Sequence, residues 1–146
     1  MNADEWYTLP VHTGRLIRLE PIAIEHAAGY LAAAGPPEDA AEVFRWLSGS
    51  VPRTVADASA DIAAALAARA RGERFAYAQF DAVTGDFAGT TSLYEVSPAA
   101  RTLAIGYTWL GRRWWRTGHN TESKLLMMKF AFETLGAARV VWHTDI

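Results

Sequence analysis

The 146-residue sequence contains no cysteine. This absence excludes a disulfide framework, a zinc site built on thiolates and a cysteine nucleophile. The sequence also lacks the GxSxG, Walker A and HExxH patterns. It therefore gives no support for a serine hydrolase, a P-loop nucleotide triphosphatase or a zincin.

Long hydrophobic runs are absent as well. No apolar stretch approaches the roughly 20 residues that span a bilayer, and the N-terminus, MNADEWYTLP, lacks the basic head and apolar run of a secretory signal. The net charge of -2 provides no general attraction to nucleic acid or anionic lipid. We expect a cytoplasmic protein with neither nucleic acid nor membrane as a partner.

What remains is the composition of an ordinary globular domain, with 51% hydrophobic and 21% charged residues. A chain of this length suits one domain with one core, which we place over residues 1–146.

The first half predicts a strand followed by helices. Residues 15–20 alternate apolar and polar side chains, as in a half-buried strand. Helices are predicted over 22–34, which ends at a GlyProPro stop, and over 38–47. A further helix should begin at Thr54, whose hydroxyl can cap its amides with Asp57 three residues on, and end near Gly72.

The second half predicts a sheet. Residues 74–80, 87–94 and 101–110 favour a three-stranded antiparallel meander, and Gly106 indicates a bulge or a close approach to the backbone. A helix over 119–135 and a buried strand over 138–144 follow. On that helix we expect a core-facing stripe of Leu125, Met128, Phe132 and Leu135, widened by Leu126 and Phe130.

One segment, GRRWWRTGHNTES at residues 111–123, places arginines and a glycine directly before a helix. A helix N-terminus offers unpaired amides and a partial positive charge, and Gly118 carries no Cβ. These features predict a seat for a phosphate-bearing ligand on the amides of 116–121, with Arg112, Arg113 and Arg116 around it. Two readings stay open beside it: a solvated surface loop, and single-stranded nucleic acid stacked on the tryptophans, which the acidic net charge disfavours.

The order IGYTWL, WWRTGHNTES, KLLMMKFAFETLG and ARVVWHTD resembles the GNAT superfamily of acyl-CoA N-acyltransferases, and within it the RimJ/RimL-like branch. RLIRLEPIAIEHA and FAGTTSLY extend the resemblance over roughly residues 13–145. It implies an α/β (α+β) fold with a mixed, mainly antiparallel twisted sheet flanked by helices. It also implies transfer of an acetyl group from acetyl-CoA, as cosubstrate, to the primary amine of a small molecule or a protein N-terminus.

The resemblance also implies site residues. The family's phosphate loop reads Gln/Arg-x-x-Gly-x-Gly/Ala, and here Gly118 matches while Trp115 and Asn120 depart from it. Backbone amides of 116–120 would hold the pyrophosphate, and an arginine would reach the 3'-phosphate. The pantetheine arm would pair with the strand edge at 107–110. The predicted donor-binding residues are Tyr107, Thr108, Trp109, Leu110, Arg112, Arg113, Arg116, Thr117, Gly118, His119, Asn120 and Thr121.

Set against the family pattern, the sequence predicts a domain shortened after its fifth strand, lacking the C-terminal helix and the last two strands. The strand at 138–145 would then be an exposed edge through which a homodimer forms. Two alternatives to an enzyme follow: a module that binds CoA or acyl-CoA without turnover, and a self-associating fragment.

The catalytic residues are not identified by the sequence. Tyr94 and Glu95 would face the acceptor, or simply solvent and core. Tyr30, Phe44 and Trp46 line the acceptor pocket in the family, and as apolar helix residues they equally fit the core. His143 and Asp145 share a strand face, but His12, His26 and His119 show no ligand spacing toward them, so we expect no metal.

Overall fold

The computed structural model describes residues 3–47 and 49–143. Its strands are β1 (His12–Thr13), β2 (Ile17–Pro21), β3 (Arg74–Asp81), β4 (Phe87–Ser97), β5 (Thr102–Leu110) and β6 (Arg139–Val141). Its α-helices are α1 (Ala27–Ala34), α2 (Pro37–Val43), α3 (Val55–Ala70) and α4 (His119–Lys129). Short 3-10 turns cover Ala3–Tyr7, Ile24–His26 and Arg112–Trp114, and a π-helical turn, Phe130–Thr134, extends α4.

The strands form one mixed sheet in the order β1-β2-β3-β4-β5-β6. All neighbours run antiparallel except β5 and β6, which are parallel. The predicted meander of three antiparallel strands is confirmed as β3, β4 and β5. The predicted final strand is confirmed as β6, at one edge of the sheet, although its residues are half-buried or exposed rather than buried.

The expected loss of the last two strands is not supported, because the sheet has six strands. The opening strand predicted over 15–20 is present as β2, and a short unpredicted strand, β1, precedes it; the two are joined by a turn in which the amide of Gly14 donates to the carbonyl of Ile17 at 2.8 Å. The sequence pattern missed β1 because two residues are too few to show an alternation of apolar and polar side chains.

Helices cover both faces of the sheet. Seven consecutive residues of β4, 87–93, are buried, which requires packing on each side of that strand. On one face the ring of Tyr30, from α1, lies 5.0 Å from the ring of Trp109 in β5. On the other, the hydroxyl of Thr91 contacts the Met127 sulfur of α4 at 3.6 Å. The central strands β4 and β5 are therefore held between the helices.

The ends of α3 follow local chemistry. Thr54 and Asp57 form the predicted capping box, with the Asp57 amide donating to the Thr54 hydroxyl at 3.1 Å. Gly72, just after the helix, has a positive φ of 72°, which a glycine adopts without strain.

The predicted core stripe of α4 is confirmed for Phe130 and Leu135, which are buried, and for Leu126 and Met128, which pack partly buried against the core, but it is wrong for Leu125 and Phe132. Leu125 and Phe132 are 52% and 45% exposed, while Ser123, Met127, Phe130, Ala131 and Leu135 are buried. The π-helical turn explains part of the difference: the amide of Leu135 donates to the carbonyl of Phe130, five residues back. This wider turn brings Leu135 onto the face that carries Phe130. No helix within residues 3–47 and 49–143 is long and apolar enough to cross a membrane.

Candidate functional site

A bulge interrupts β5 where the sequence predicted one. Thr90 pairs with Trp109 and Ser92 pairs with Gly106, so two residues of β5, Tyr107 and Thr108, oppose the single Thr91. The positive φ lies at Tyr107, at 52°, and not at Gly106. Gly106 serves packing instead, because a Cβ there would lie 2.7 Å from the Tyr94 ring.

Beyond the bulge, β5 has a backbone edge that no other strand of residues 3–47 and 49–143 covers. β6 pairs only with Thr102–Ala104, so the two strands separate before the bulge. The Tyr107 carbonyl accepts from the Thr90 hydroxyl at 3.1 Å, and the Trp109 carbonyl faces the Gln79 amide at 3.4 Å. Both carbonyls thus point toward β4. Since backbone groups alternate in direction along a strand, the N–H and C=O of Thr108 point away from β4, to the side that β6 does not cover.

The segment between β5 and α4, residues 111–118, is here called the glycine loop. Arg116 has a φ of 57°, a left-handed conformation that favours glycine, and α4 begins directly after Gly118. Among the residues that the structure describes, the amides of Arg116, Thr117 and Gly118 have no backbone or side-chain acceptor. Three amides without an acceptor, placed directly before the positive end of an eleven-residue helix, are suited to binding an anion.

A hydrogen-bond network that runs from exposed Thr117 to buried Asp81 fixes the shape of the glycine loop. The Thr117 hydroxyl donates to the Trp114 carbonyl at 2.6 Å and lies 2.8 Å from Nδ1 of His119. Nε2 of His119 lies 3.4 Å from Oδ2 of Asp81, which also accepts from the Trp114 indole at 2.9 Å. His119 was predicted to bind the donor, but both of its ring nitrogens face the protein. The ring therefore braces the loop.

Asp81 is the centre of this network. Its Oδ1 accepts from the amides of Val83 and Thr84 at 2.9 and 3.2 Å. Burial raises the pKa of this carboxyl, but the bonds from Trp114, Thr84 and Val83, together with His119, outweigh burial and lower the pKa to about 2. The ionised carboxylate of Asp81 therefore holds the glycine loop against the β3–β4 turn.

Glu122, on the first turn of α4, ties the helix start to the opening hairpin. Its Oε1 accepts from the amides of Leu16 and Ile17 at 2.7 and 2.9 Å. Burial opposes ionisation, yet these amide bonds lower the pKa of Glu122. Gly118 was expected to let a phosphate approach. The structure shows a packing reason for this glycine, because a Cβ there would lie 2.7 Å from a methyl carbon of Leu16.

The three arginines predicted around the phosphate seat separate into two groups. Arg113 pairs with Asp86 at 3.0 Å, and Arg112 lies 3.9 Å from Asp39. Both partners are distant in sequence and lie on the side of the loop that borders another surface depression, between α1 and the β3–β4 turn. Arg116 has no ion pair among the described residues. It is therefore the arginine best placed to meet an anion on the loop amides.

A cleft of about 430 Å³ runs from the glycine loop along the free edge of β5. One wall is Thr108, Trp109 and Leu110, and the other is the end of α2 with Trp46. Arg116 and Asn120 lie at the loop end of this cleft. The outward carbonyl of Leu110 already accepts from the Trp115 indole at 2.8 Å. This carbonyl of the free edge predicted at 107–110 is therefore not available to pair with a ligand. Thr121 lies exposed on the first turn of α4.

A second, smaller cavity of about 170 Å³ also borders the bulge and is here called the charged cavity. Thr90, Tyr107 and Trp109 line it from the sheet, Asp61 and Arg74 are its charged side chains, and Tyr30 and Ser50 add hydroxyl groups. The Tyr30 hydroxyl donates to Oδ2 of Asp61 at 3.1 Å. Burial is the main cause that raises the pKa of Asp61, and burial likewise lowers the pKa of Arg74. Phe44 and Tyr30, predicted for an acceptor pocket or the core, are both buried and line this cavity.

Sequence reasoning missed Asp61, Arg74 and Gln79. Gln79 is fully buried, and its amide donates to the Thr90 carbonyl at 2.8 Å, beside the bulge. A signal was present, since a glutamine inside the apolar strand RFAYAQF must find buried partners. No comparable signal marks Asp61, which lies on a helix rich in alanine and charged residues.

The remaining candidates lie outside both cavities. Nε2 of His143 contacts Oε2 of Glu95 at 3.0 Å on the surface, and the Tyr94 ring packs edge-on against Tyr107. Asp145, the suggested companion of His143, lies outside the described residues. Within the part of the chain that the structure describes, no group of three or more histidines and acidic residues is arranged to hold a metal ion.

Comparison with known proteins identifies the architecture. A family model for the acetyltransferase (GNAT) domain matches residues 16–146. A solved structure of a GCN5-related N-acetyltransferase from Brucella melitensis is similar with a TM-score of 0.84 and 29% identity, over 91% of this chain and 59% of that one. A protein from T. thermophilus, whose name assigns it to the acetyltransferases, is similar with a TM-score of 0.78 and 31% identity, over 95% and 69%.

More distant structures share the fold alone. RimL, named as the ribosomal L7/L12 alpha-N-protein acetyltransferase, has a TM-score of 0.73 at 18% identity, over 92% of this chain and 71% of that one. A search of curated proteins found no match. The chain spans 59% of the length of the Brucella melitensis structure and 65% of a second acetyltransferase structure.

Proposed function

This chain belongs to the GNAT family of acetyltransferases, and we propose that it transfers the acetyl group of acetyl-CoA to a primary amine. The observation that carries the proposal is the continuity of three features: the free amides of the glycine loop, the cleft, and the bulge at Tyr107. An anion site, an extended channel and an interrupted strand follow one another in the order in which acetyl-CoA carries its phosphates, its pantetheine arm and its thioester.

Each feature has a chemical task in this proposal. The amides of Arg116, Thr117 and Gly118 bind the pyrophosphate, and Arg116 adds a mobile positive charge. The outward N–H and C=O of Thr108 pair with the amides of the pantetheine arm, as an added strand pairs with a sheet edge. This arrangement brings the thioester to the bulge at Tyr107, which also lines the charged cavity.

The reaction itself needs little covalent help from the protein. A neutral amine attacks the thioester carbonyl, a C–N bond forms, and the C–S bond breaks. The amine loses a proton to a base, and the leaving thiolate takes up a proton to give free CoA. A backbone N–H in the bulge is the expected group that polarises the carbonyl. Holding both reactants at the bulge supplies most of the rate enhancement through proximity.

The acceptor is proposed as a small amine or a protein N-terminus. The name of RimL describes an enzyme that acts on a protein N-terminus, and a likeness at 18% identity supports the fold rather than that substrate. The RimJ/RimL-like branch, the cytoplasmic location and a homodimer formed through residues 138–145 remain proposals. For the dimer, β6 is an edge strand with Trp142 exposed beside it, and sedimentation at high concentration tests it.

Calorimetric titration with acetyl-CoA, followed by an assay for release of free CoA with an amine panel, tests the proposed function. We expect saturable binding that is lost in Gly118→Trp, because the indole cannot fit beside Leu16 and displaces the loop. Val11→Trp, at an exposed position that lines neither the cleft nor the glycine loop, is the matched control and should bind normally. Binding without CoA release would favour the alternative of a module that holds CoA without turnover. Absence of binding would refute the proposal.

A further inference from the structure

The charged cavity contains one carboxylate and one guanidinium that do not pair with each other. No ion pair joins Asp61 to Arg74, or either of them to any other residue in the described ranges. Arg74 donates from Nε to the Ser92 hydroxyl at 2.9 Å and stacks on the Tyr107 ring at 4.0 Å. These two contacts fix the guanidinium plane, while its two terminal nitrogens have no acceptor among the described residues.

Asp61 is held in a similar way from the opposite wall. The Tyr30 hydroxyl binds one carboxylate oxygen, and the other has no donor in the described part of the chain. Both side chains are half-buried, and burial shifts both pKa values toward the neutral forms. Charges removed from water in this way lose hydration, and the contacts within the cavity offset only part of that loss, because burial remains the largest cause of both pKa shifts. The remaining wall is apolar, with Ile22, Phe44, Leu47 and Trp109.

We propose that the charged cavity binds a free α-amino acid with an apolar side chain, whose carboxylate contacts Arg74 and whose amino group contacts Asp61. The two fixed and unpaired charges match the two charges of such a zwitterion, and the aromatic wall accepts its side chain. The planar guanidinium presents two parallel donors to a carboxylate. This inference rests on the proposed function, since it names the acceptor class: the charged cavity borders the bulge at Tyr107, where the thioester is expected.

The amino acid arrives as an ammonium ion and must lose one proton before it attacks. The Asp61 carboxylate stands at the amino group and can accept that proton directly. The nitrogen lone pair then forms the C–N bond as the C–S bond breaks, the nitrogen gives up its second proton, the leaving thiolate takes up one proton, and the products are an N-acetylamino acid and free CoA. The product nitrogen is an uncharged amide, so its attraction to Asp61 is weaker and release is favoured.

Ligand-observed NMR titration without acetyl-CoA tests the inference directly. The probes are L-leucine, L-methionine and L-phenylalanine, each compared with its α-carboxamide, which keeps the ammonium group and side chain but lacks the charged carboxylate. We expect at least one acid to bind about tenfold or more tightly than its amide. In Arg74→Met that ratio should fall to about one, while Arg71→Met, which removes an exposed surface arginine, should preserve it.

Asp61→Asn provides the second arm. It should weaken binding of the acid and the amide together and leave their ratio unchanged, because both probes carry the ammonium group. Equal binding of acids and amides by the unaltered protein, or binding of neither, would overturn the inference. The acetyl-CoA titration is separate from this readout. Amino-acid binding without acetyl-CoA binding would therefore preserve the cavity assignment and refute acyl transfer.

Discussion

The glycine loop and the charged cavity each contain an aspartate, and the two aspartates differ in their hydrogen bonds and in the direction of their pKa shifts. At the loop, Asp81 accepts hydrogen bonds from an indole and two amides, and its pKa is lowered to about 2. In the charged cavity, Asp61 has a single hydroxyl donor, and burial raises its pKa. The polar side chains around the loop are used to maintain its shape, whereas the charges of the cavity remain available to a ligand. Substitutions that neutralise the charges around the loop should therefore destabilise the fold, whereas substitutions that neutralise Asp61 should not.

The largest loss of stability is expected for Glu122→Ala. This change leaves the amides of Leu16 and Ile17 without the carboxylate that they share, and bonds to a charged group are the strong ones. We expect the free energy of unfolding to fall by about 3 kcal/mol. The melting temperature should fall by roughly 10 °C. Glu133→Ala, which removes an exposed carboxylate from the π-helical turn, is the control in thermal denaturation. Equal melting temperatures for the two variants would contradict the role assigned to Glu122.

Asp81→Asn should destabilise the protein by about 2 kcal/mol. An asparagine can still accept from the amides of Val83 and Thr84, but its NH2 group then faces the Trp114 indole, and two donors meet. Asp86→Asn removes a carboxylate only five residues away that makes an exposed ion pair with Arg113, which is worth little. Urea denaturation of the two variants compares them. A similar loss in both would mean that the loop network is not the source of stability.

The same carboxyl gives the loop a pH dependence. The pKa of Asp81 is about 2 in the folded protein and 3.8 ordinarily, so the stability it provides is complete above the ordinary value. That stability should decline as the pH falls from about 5 toward 2, where the folded carboxyl takes up its proton. Asp81→Asn should lack this part of the decline. Parallel curves of unfolding free energy against pH for the two proteins would count against the assignment.

Arg116→Gly is expected to separate stability from binding. The left-handed φ of 57° at Arg116 costs an ordinary residue roughly 1 kcal/mol, so glycine should stabilise the loop by up to about that amount. The same change removes the unpaired guanidinium and should weaken acetyl-CoA binding by about tenfold. Arg101→Gly is a close control, since Arg101 has the same φ of 57° in the β4–β5 turn. Calorimetry should find acetyl-CoA affinity unchanged in Arg101→Gly, and an unchanged affinity in Arg116→Gly would remove this arginine from the site.

The sequence predicted those parts of the fold that depend on neighbours along the chain. The capping box of Thr54 and Asp57, the β3–β5 meander and the glycine loop before α4 are all set by local patterns. The exposed position of Phe132 could not be predicted in this way, because a regular 3.6-residue period does not anticipate a π-helical turn. Leu125 precedes that turn, and it is exposed because the face of α4 that packs on the sheet carries Met127.

The contacts between side chains that are distant in sequence could not be predicted either. Nothing near Arg112 or Arg113 in sequence indicates that Asp39 and Asp86 will face them once the chain is folded. Likewise, Asp61 and Arg74 meet only because α3 packs beside β3. A local motif locates a backbone site such as the glycine loop, but a cavity assembled from separate elements needs the fold.

The smallest effect on stability is expected for Asp61→Asn. This variant tests most directly whether Asp61 differs from Asp81 in its role. Asparagine can still accept from the Tyr30 hydroxyl, and it removes a charge that burial disfavours. We expect the free energy of unfolding to stay the same or to rise by about 0.5 kcal/mol. Because the pKa of Asp61 is raised in the folded protein, protonation favours folding, and that contribution disappears as the pH rises through the folded value. The advantage of Asp61→Asn over the unaltered protein should therefore be larger at pH 7 than at pH 3. A clear loss of stability at pH 7 in urea denaturation would mean that the Asp61 charge is used within the fold, as the Asp81 charge is, and is not reserved for a ligand.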